Sequence, residues 1–288
     1  MKIETIEPSH LPFGRGVRIL DYNKDGLLAL EKPAGLMSHP NRQRDEKRSL
    51  LNAYYDLKME CYRWVDAEGQ EREADLIHRL DSATSGVILL SLNRELTPVI
   101  KEAFARHKVT KIYYALVKGS PKGVAGVWED RFTKDRKCGN RIIRNAVSVR
   151  AKSRYQFIRK AQAGFPLSLI KLFPVTGRTH QLRIQCSKHK IPIVGDQTYG
   201  SFSFNHDVKS ETHIKRLMLH SSEIMFSYYF NGTNREVEVG SALPLEFEAL
   251  LDFRPGMDME KLMITSKVRL KINQKSVDIY PFIIGKRS

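Results

Sequence analysis

Short apolar runs broken by polar turns dominate the chain, and long helical stripes are few. Leu27-Leu28-Ala29-Leu30-Glu31-Lys32-Pro33-Ala34-Gly35 reads as a buried strand ending in a Pro-x-Gly turn. His39-Pro40 and a polar stretch from Asn41 to Arg48, expected to be mobile, come next, and residues 50–60 are expected to be helical. Leu76-Ile77 then opens into the polar loop His78-Arg79-Leu80-Asp81-Ser82-Ala83-Thr84-Ser85-Gly86, which closes into Val87-Ile88-Leu89-Leu90. A loop pinned between two apolar strands holds its one carboxylate, Asp81, among cationic and hydroxyl neighbours; many ordinary turns share that pattern. Thr97-Pro98 predicts a helix start with Thr97 as cap, and Val99, Ile100, Ala103 and Phe104 follow at core-facing spacing.

Lys111-Ile112-Tyr113-Tyr114-Ala115-Leu116-Val117-Lys118-Gly119 is rich in strand formers and places Tyr113 and Tyr114 on opposite faces. Phe165 to Phe173 predicts another strand, feeding a turn from Pro174 in which Thr179 is the expected N-cap of a short helix. Ile191 to Gly200 is a Pro- and Gly-punctuated loop, and Leu217 to His220 and Val237 to Val239 read as strands. Lys267-Val268-Arg269-Leu270-Lys271-Ile272 alternates basic and apolar and predicts one arm of a terminal hairpin with Ser276 to Tyr280. With strands outnumbering helices, short turns and no repeat or Pro/Gly/Ser-rich linker, the expected class is α+β around a largely antiparallel sheet. The expected division is a lead-in over 1–25, one main domain over 26–254 and a C-terminal extension over 255–288.

Composition narrows the chemistry. The 288 residues can bury a substantial core, and 41% hydrophobic with 28% charged residues is a globular balance without a membrane-length apolar run. The N-terminus lacks the basic and apolar regions of a secretory signal, so a cytoplasmic location is expected. Cys61, Cys138 and Cys186 lie far apart, with no Cys-x-x-Cys or His-Glu-x-x-His spacing, so reduced thiols and metal-free chemistry are expected. Forty-eight Lys and Arg against 32 Asp and Glu give a net charge of +16, a field that attracts polyanions such as nucleic acid. Between Arg131 and Lys160 eleven residues are basic and only Asp135 is acidic, which predicts charged strands that either track phosphates or form a solvated sheet face. Arg141, Arg144 and Arg150 are the candidate nucleic-acid contacts there. No long apolar heptad is evident, so a monomer is expected.

Taken in order, several segments resemble the RluA family of pseudouridine synthases. The matches are Glu31-Lys32-Pro33-Ala34-Gly35-Leu36 through His39-Pro40, the HRLDxxTSG pattern at His78 to Gly86 and KxYxAxVxG at Lys111 to Gly119. TGRTHQ(L/I)R follows at Thr176 to Arg183, then a GxPIxGDxxYG-type segment at Lys190 to Gly200 and an RLxLHS-type strand at Arg216 to Ser221. They span about residues 26 to 245. The resemblance implies the pseudouridine synthase fold and isomerisation of uridine in structured rRNA or tRNA, with no cofactor. It also implies Asp81 as the essential residue, which would add at C6, capture C1′, or assist a glycal route. Arg183 would be its cationic partner, favouring the ionised carboxylate, and Tyr113 would stack on the base or assist proton transfer at C5. His78, Arg79, Thr84, Arg178, His180 and Gln181 would contact RNA or support the loops.

Two departures stand out. Gln185 occupies a position where the family often has His, and the catalytic-domain strand near Leu27 leaves no room for the S4-type RNA-binding domain that many relatives carry. RNA capture is then expected from the catalytic domain's own surface. The alternative is a non-catalytic RNA-binding or ribosome-assembly factor with a vestigial site. A hydrolase built on Ser85 with His78 or His180 lacks a nucleophile-elbow pattern.

Overall fold

The structure, a computed structural model, describes residues 8–138 and 141–274, with the backbone alone for Ser9, 134–138, 141–147 and 267–274. In chain order the strands are β1 (Arg18–Tyr22), β2 (Leu27–Lys32), β3 (Tyr54–Asp56), β4 (Cys61–Val65), β5 (Glu71–Leu76) and β6 (Ser85–Ser91). They continue with β7 (Thr110–Lys118), β8 (Ala125–Cys138), β9 (Arg141–Lys160), β10 (Leu167–Pro174), β11 (Leu219–Phe230) and β12 (Thr233–Gly240). The helices are α1 (Leu96–Ala105), α2 (Gln181–Lys188), α3 (Phe202–Thr212), α4 (Leu245–Asp252) and α5 (Met259–Gln274). The strands form one sheet of order β3-β4-β5-β6-β11-β7-β10-β9-β8; β2 joins β6 and carries β1, and β12 joins β11. Among the twelve strands described only the β6–β11 pairing is parallel, so the sheet is mixed and largely antiparallel, as expected.

β6 is the junction. Val87 and Leu89 pack into one core with Leu96 and Ile100 of α1, while Ile88 and Leu90 pack into the other with Leu28 and Leu30. Burial on both faces explains why this strand is an unbroken apolar run and not an alternating one. Its first two residues, Ser85 and Gly86, pair with His220 and Ser221 of β11, which fixes the end of the Asp81 loop against the middle of the sheet. Gly86 has φ +113, and a Cβ there would run into the Ser221 carbonyl oxygen.

Several local expectations give way to tertiary structure. Residues 50–60 are not helical: Tyr54–Asp56 is β3, and Asp56 Oδ1 accepts the Lys58 and Met59 amides at 2.9 and 3.1 Å to start the turn into β4. Within Asn41 to Arg48, expected to be mobile, Gln43–Arg48 forms a short 3-10 helix. α1 begins one residue before Thr97, whose hydroxyl donates to Asp75 Oδ2 at 2.6 Å instead of capping. α2 is capped at His180, not Thr179, because the Gln181 carboxamide oxygen accepts the Arg178 amide at 3.0 Å and leaves His180 left-handed at φ 54. The sheet also includes a strand before residue 26: β1, mostly exposed, pairs with β2.

Lys267–Ile272, expected as a hairpin arm, continues α5; Asp258 Oδ1 accepts the Glu260 amide at 2.9 Å at that helix's start, and helix-forming residues carry it onward. The expected partner, 276–280, lies outside the described residues. Cys61 and Cys186 are buried, and the side chain of Cys138 lies outside the description. No helix among the described residues is long and apolar enough to cross a membrane.

Gly86→Ala is expected to cost about 3 kcal/mol or more, since it adds strain at positive φ to a backbone collision. A urea midpoint equal to that of the unsubstituted protein would contradict this role for the β6–β11 junction.

Candidate active site

The Asp81 loop hangs from the end of β5 and is held from beneath by a buried lysine. Lys32, with no exposed surface, donates from Nζ to the carbonyls of Pro33, Leu36 and Ser82 at 3.1, 2.7 and 3.1 Å. A buried ammonium is tolerable only with such partners, and here they belong to the two turns that must stay together. Burial pushes the Lys32 ammonium down to about 7, and the nearby charge of Asp81 opposes that fall. Gly35 N donates to Ser82 O at 2.7 Å, and Thr84 N to Asp81 O at 3.0 Å. Ser38 Oγ donates to Leu80 O at 2.7 Å and accepts the Leu80 amide at 2.9 Å, while Tyr62 holds Ser38 through its carbonyl at 2.7 Å. Both neighbours of Asp81 are therefore fixed, and only its side chain is left to face outward.

Across the cleft, α2 brings in Arg183. Its Nε and Nη2 donate to the Asp196 carboxylate at 2.7 and 2.8 Å, and Nη1 donates to Asp81 Oδ2 at 3.3 Å. The side chains grade from interior to solvent: Asp196 is 1% exposed, Arg183 8% and Asp81 25%. Burial alone would push the Asp196 carboxyl up, but Arg183 and the amides of Thr198 and Tyr199 hold it below the usual range. The guanidinium also lies over the Tyr199 ring, 5.2 Å from its centroid. A bidentate pair beneath and an aromatic face beside it leave the guanidinium one orientation, and in it Nη1 points at Asp81. His180 Nε2 stands 3.7 Å from the other Asp81 oxygen, with its Nδ1 3.1 Å from the Tyr199 hydroxyl.

These groups open on a cleft of about 770 Å³. Tyr113, on β7, lines it; burial raises its phenol to about 12, with Asp81 adding to the shift, so it keeps its proton at neutral pH. Of the expected site residues, Asp81, Tyr113, Arg183, His78, Arg79, Thr84, Arg178, His180 and Gln181 all line this cleft. His78 is held down to about 3 by burial, accepts the Leu89 amide on Nε2 at 3.2 Å and stacks on Phe104, so it is a neutral support. Gln181 accepts from the Thr176 hydroxyl at 2.6 Å and donates to Lys152 O at 3.0 Å, tying α2 to β9.

The remaining residues singled out in the sequence lie elsewhere. Arg150 lies outside the cleft, paired with Glu129 at 2.6 Å, and the side chains of Arg141 and Arg144 lie outside the description. Gln185, which the resemblance left without a role, is fully buried, accepting from Ser153 Oγ at 2.7 Å and donating to Asp130 Oδ2 at 2.9 Å, so it anchors α2 to the β8–β9 pair. Ser85 meets neither His78 nor His180; its partner is the buried His220, at 2.8 Å, with Arg216 donating to the same hydroxyl. Lys32, Ser38 and Asp196 are the site's supports that pattern reading passed over. A lysine inside an apolar run and an acid within a Gly- and Pro-punctuated loop were the available signals.

The fold and the cleft have counterparts. A family model described as RNA pseudouridylate synthase matches residues 26–188. The tRNA pseudouridine synthase C of Haemophilus ducreyi is 31% identical over 241 residues, covering 80% of this chain and 93% of that protein. The dual-specificity RNA pseudouridine synthase RluA of Vibrio vulnificus is 29% identical over 213 residues, covering 71% and 76%. The structure of human RNA pseudouridylate synthase domain containing 1 superposes with a TM-score of 0.59 over 91% of this chain and 98% of that one, at 23% identity, a shared fold. The chain thus belongs to the RNA pseudouridylate synthase family, of the RluA type, and is an isomerase that converts uridine in RNA to pseudouridine.

Proposed function

We propose that Asp81 is the catalytic group of this isomerase, that Arg183 orients it, and that Tyr113 offers its ring to the flipped uracil of a structured tRNA or rRNA. The reaction breaks C1′–N1, turns the base and joins C1′ to C5; the C5 proton leaves to solvent and N1 gains one from it, so atoms balance with no net redox change. Addition at C6, capture of C1′ and proton removal at C2′ all call for a fixed carboxylate at the reacting nucleotide. The observation that carries the reading is the chain of contacts Asp196–Arg183–Asp81, which ends in a cleft wide enough for an extruded nucleotide. Tyr113 keeps its proton, so a stacking surface or hydrogen-bond donor suits it better than a base. The charged walls suit a polyanion: Arg79, Lys111, Arg178 and Arg183 line the cleft, with Asp81 as the one acid among its described lining residues. The synthase C relative carries tRNA in its name, and the ribosomal large subunit synthase D of Borreliella burgdorferi carries the ribosome, so both substrate classes are in scope. The protein is proposed to work as a monomer in the cytoplasm.

The test uses total RNA labelled with tritium at uridine C5, isolated from cells lacking the protein. Asp81→Asn is expected to bind this RNA as well as the unsubstituted protein and to release tritium at least about 10³-fold more slowly. Appreciable release by that variant would remove Asp81 from the chemistry. Arg183→Met is expected to slow release by about 10²- to 10³-fold. Because it strands the buried Asp196, it should also cost about 3 to 5 kcal/mol of stability. Full activity in Arg183→Met would contradict its role.

Lys32 adds a pH dependence. Below about 7 its ammonium has three protons for three carbonyls; above that value a neutral amine has two and faces the third oxygen with a lone pair. The turnover rate is expected to fall as pH rises through about 7, and Lys32→Arg, which stays charged, to flatten the fall. Unfolding is not the cause, because between about 7 and 10.5 the unfolded chain holds the proton that the folded one has lost, so this group makes folding more favourable as pH rises. A flat alkaline profile in the unsubstituted protein would contradict the clamp.

A further inference from the structure

Among the described residues lining the cleft, one cation has neither a hydrogen-bonding nor a carboxylate partner. Arg183 is committed to Asp196 and Asp81, Arg178 Nε donates to Arg150 O at 3.1 Å, and Arg79 Nη1 stands 3.5 Å from His39 Nε2. Lys111 has no hydrogen-bonding or carboxylate partner among the described residues; its contact is the Phe104 ring, with Nζ 5.8 Å from the centroid. Half-burial therefore acts unopposed and lowers the pKa of its ammonium. A half-buried charge without a counter-ion is unfavourable in the empty protein, and an arriving anion would relieve it.

The surroundings say where that anion would sit. Lys111 and Tyr113 are two apart on β7 and share a face, so their Cα atoms are about 6.6 Å apart along the strand. That separation is comparable to one nucleotide of backbone. The turn that carries Arg178 and leads to His180 meets the ammonium at Gly177, where a Cβ would come 3.9 Å from Lys111 Nζ. A Cβ there would already be in van der Waals contact with the ammonium, and glycine leaves that space open. The other neighbours, Phe104 and neutral His78, bring no competing charge.

We infer that Lys111, opened to the cleft by the missing side chain at Gly177, is a subsite for the RNA backbone phosphate adjoining the target uridine. The inference rests on the reading that the uracil is presented to Tyr113 and Asp81. A phosphate here would hold the extruded nucleotide from its backbone while the base turns, a step during which the ring itself cannot be gripped. Lys111 is a binding residue in this account, acting on the sugar-phosphate and not on the reacting atoms.

The experiment measures tritium release against concentration of the same C5-labelled RNA at a series of salt concentrations. Lys111→Met is expected to raise KM about 10-fold with a smaller change in kcat, and to reduce the slope of log KM against log salt by about 0.7 to 0.9, the share of one phosphate. Lys111→Arg should restore both. Gly177→Asp, which sets a carboxylate beside the untouched lysine, should reproduce the Lys111→Met effect and decides the matter if that variant fails to fold. Unchanged KM and salt slope in Lys111→Met, or in Gly177→Asp where Lys111→Met cannot be measured, would overturn the subsite. So would a loss confined to kcat, which is what a structural role gives. If the unsubstituted protein releases no tritium, the fault lies with the synthase reading; if it does and these variants match it, the fault lies with this subsite alone.

Discussion

A guanidinium carries its donors in a planar fork, and that geometry lets Arg183 satisfy a buried carboxylate and still reach a second one. Asp196 is almost wholly buried and would be untenable as an ion without a partner that cannot lose its charge. Arg183 is that partner, and the two bonds it spends on Asp196 are shorter than the single one it gives Asp81. The stronger interaction is thus structural and the weaker one faces the cleft, where a substrate can compete with or reinforce it. The orientation of α2 follows from the same need: Gln181 and Gln185 pin the helix to β8 and β9, and the pinning delivers Arg183 at the required angle.

The opposite wall obeys a matching constraint. Asp81 sits in a polar loop between apolar strands, and such a loop must have its backbone groups answered. Lys32, Ser38 and Gly35 answer them from the β2 side, while the parallel contact of Ser85 and Gly86 with β11 closes the far end. Each half of the site is rigid on its own account. Across the cleft they meet at Asp81, where Arg183 donates to one carboxylate oxygen and His180 Nε2 stands 3.7 Å from the other.

Much of the frame could be seen in the chain as written. The run from Val87 to Leu90 could only be a strand covered on both faces, and Tyr113 and Tyr114 had to part company across β7. Asp81, Tyr113 and Arg183 stood out through motifs in a fixed order, and all three line one cleft. What stayed hidden depends on contacts distant in sequence. Thr179 has the chemistry of a cap, yet Gln181 takes the Arg178 amide; Leu50 to Glu60 has the composition of a helix, yet β4 offers Tyr54–Asp56 a partner. Lys267–Ile272 alternates like a strand, but six residues do not outweigh a helix already launched from Met259. Lys32 and Asp196 were quoted only as parts of motifs, since nothing local tells that one will lie under the Asp81 loop and the other behind Arg183.

Asp196 does not touch Asp81 and is proposed to act on it through Arg183. Single-turnover tritium release by Asp196→Asn, Arg183→Met and the double variant, at a temperature where all three are folded, tests this most directly. Asp196→Asn is expected to be slowed by about 10-fold or more, and the double variant to be no slower than Arg183→Met alone. Full activity in Asp196→Asn, or losses that multiply in the double variant, would contradict it.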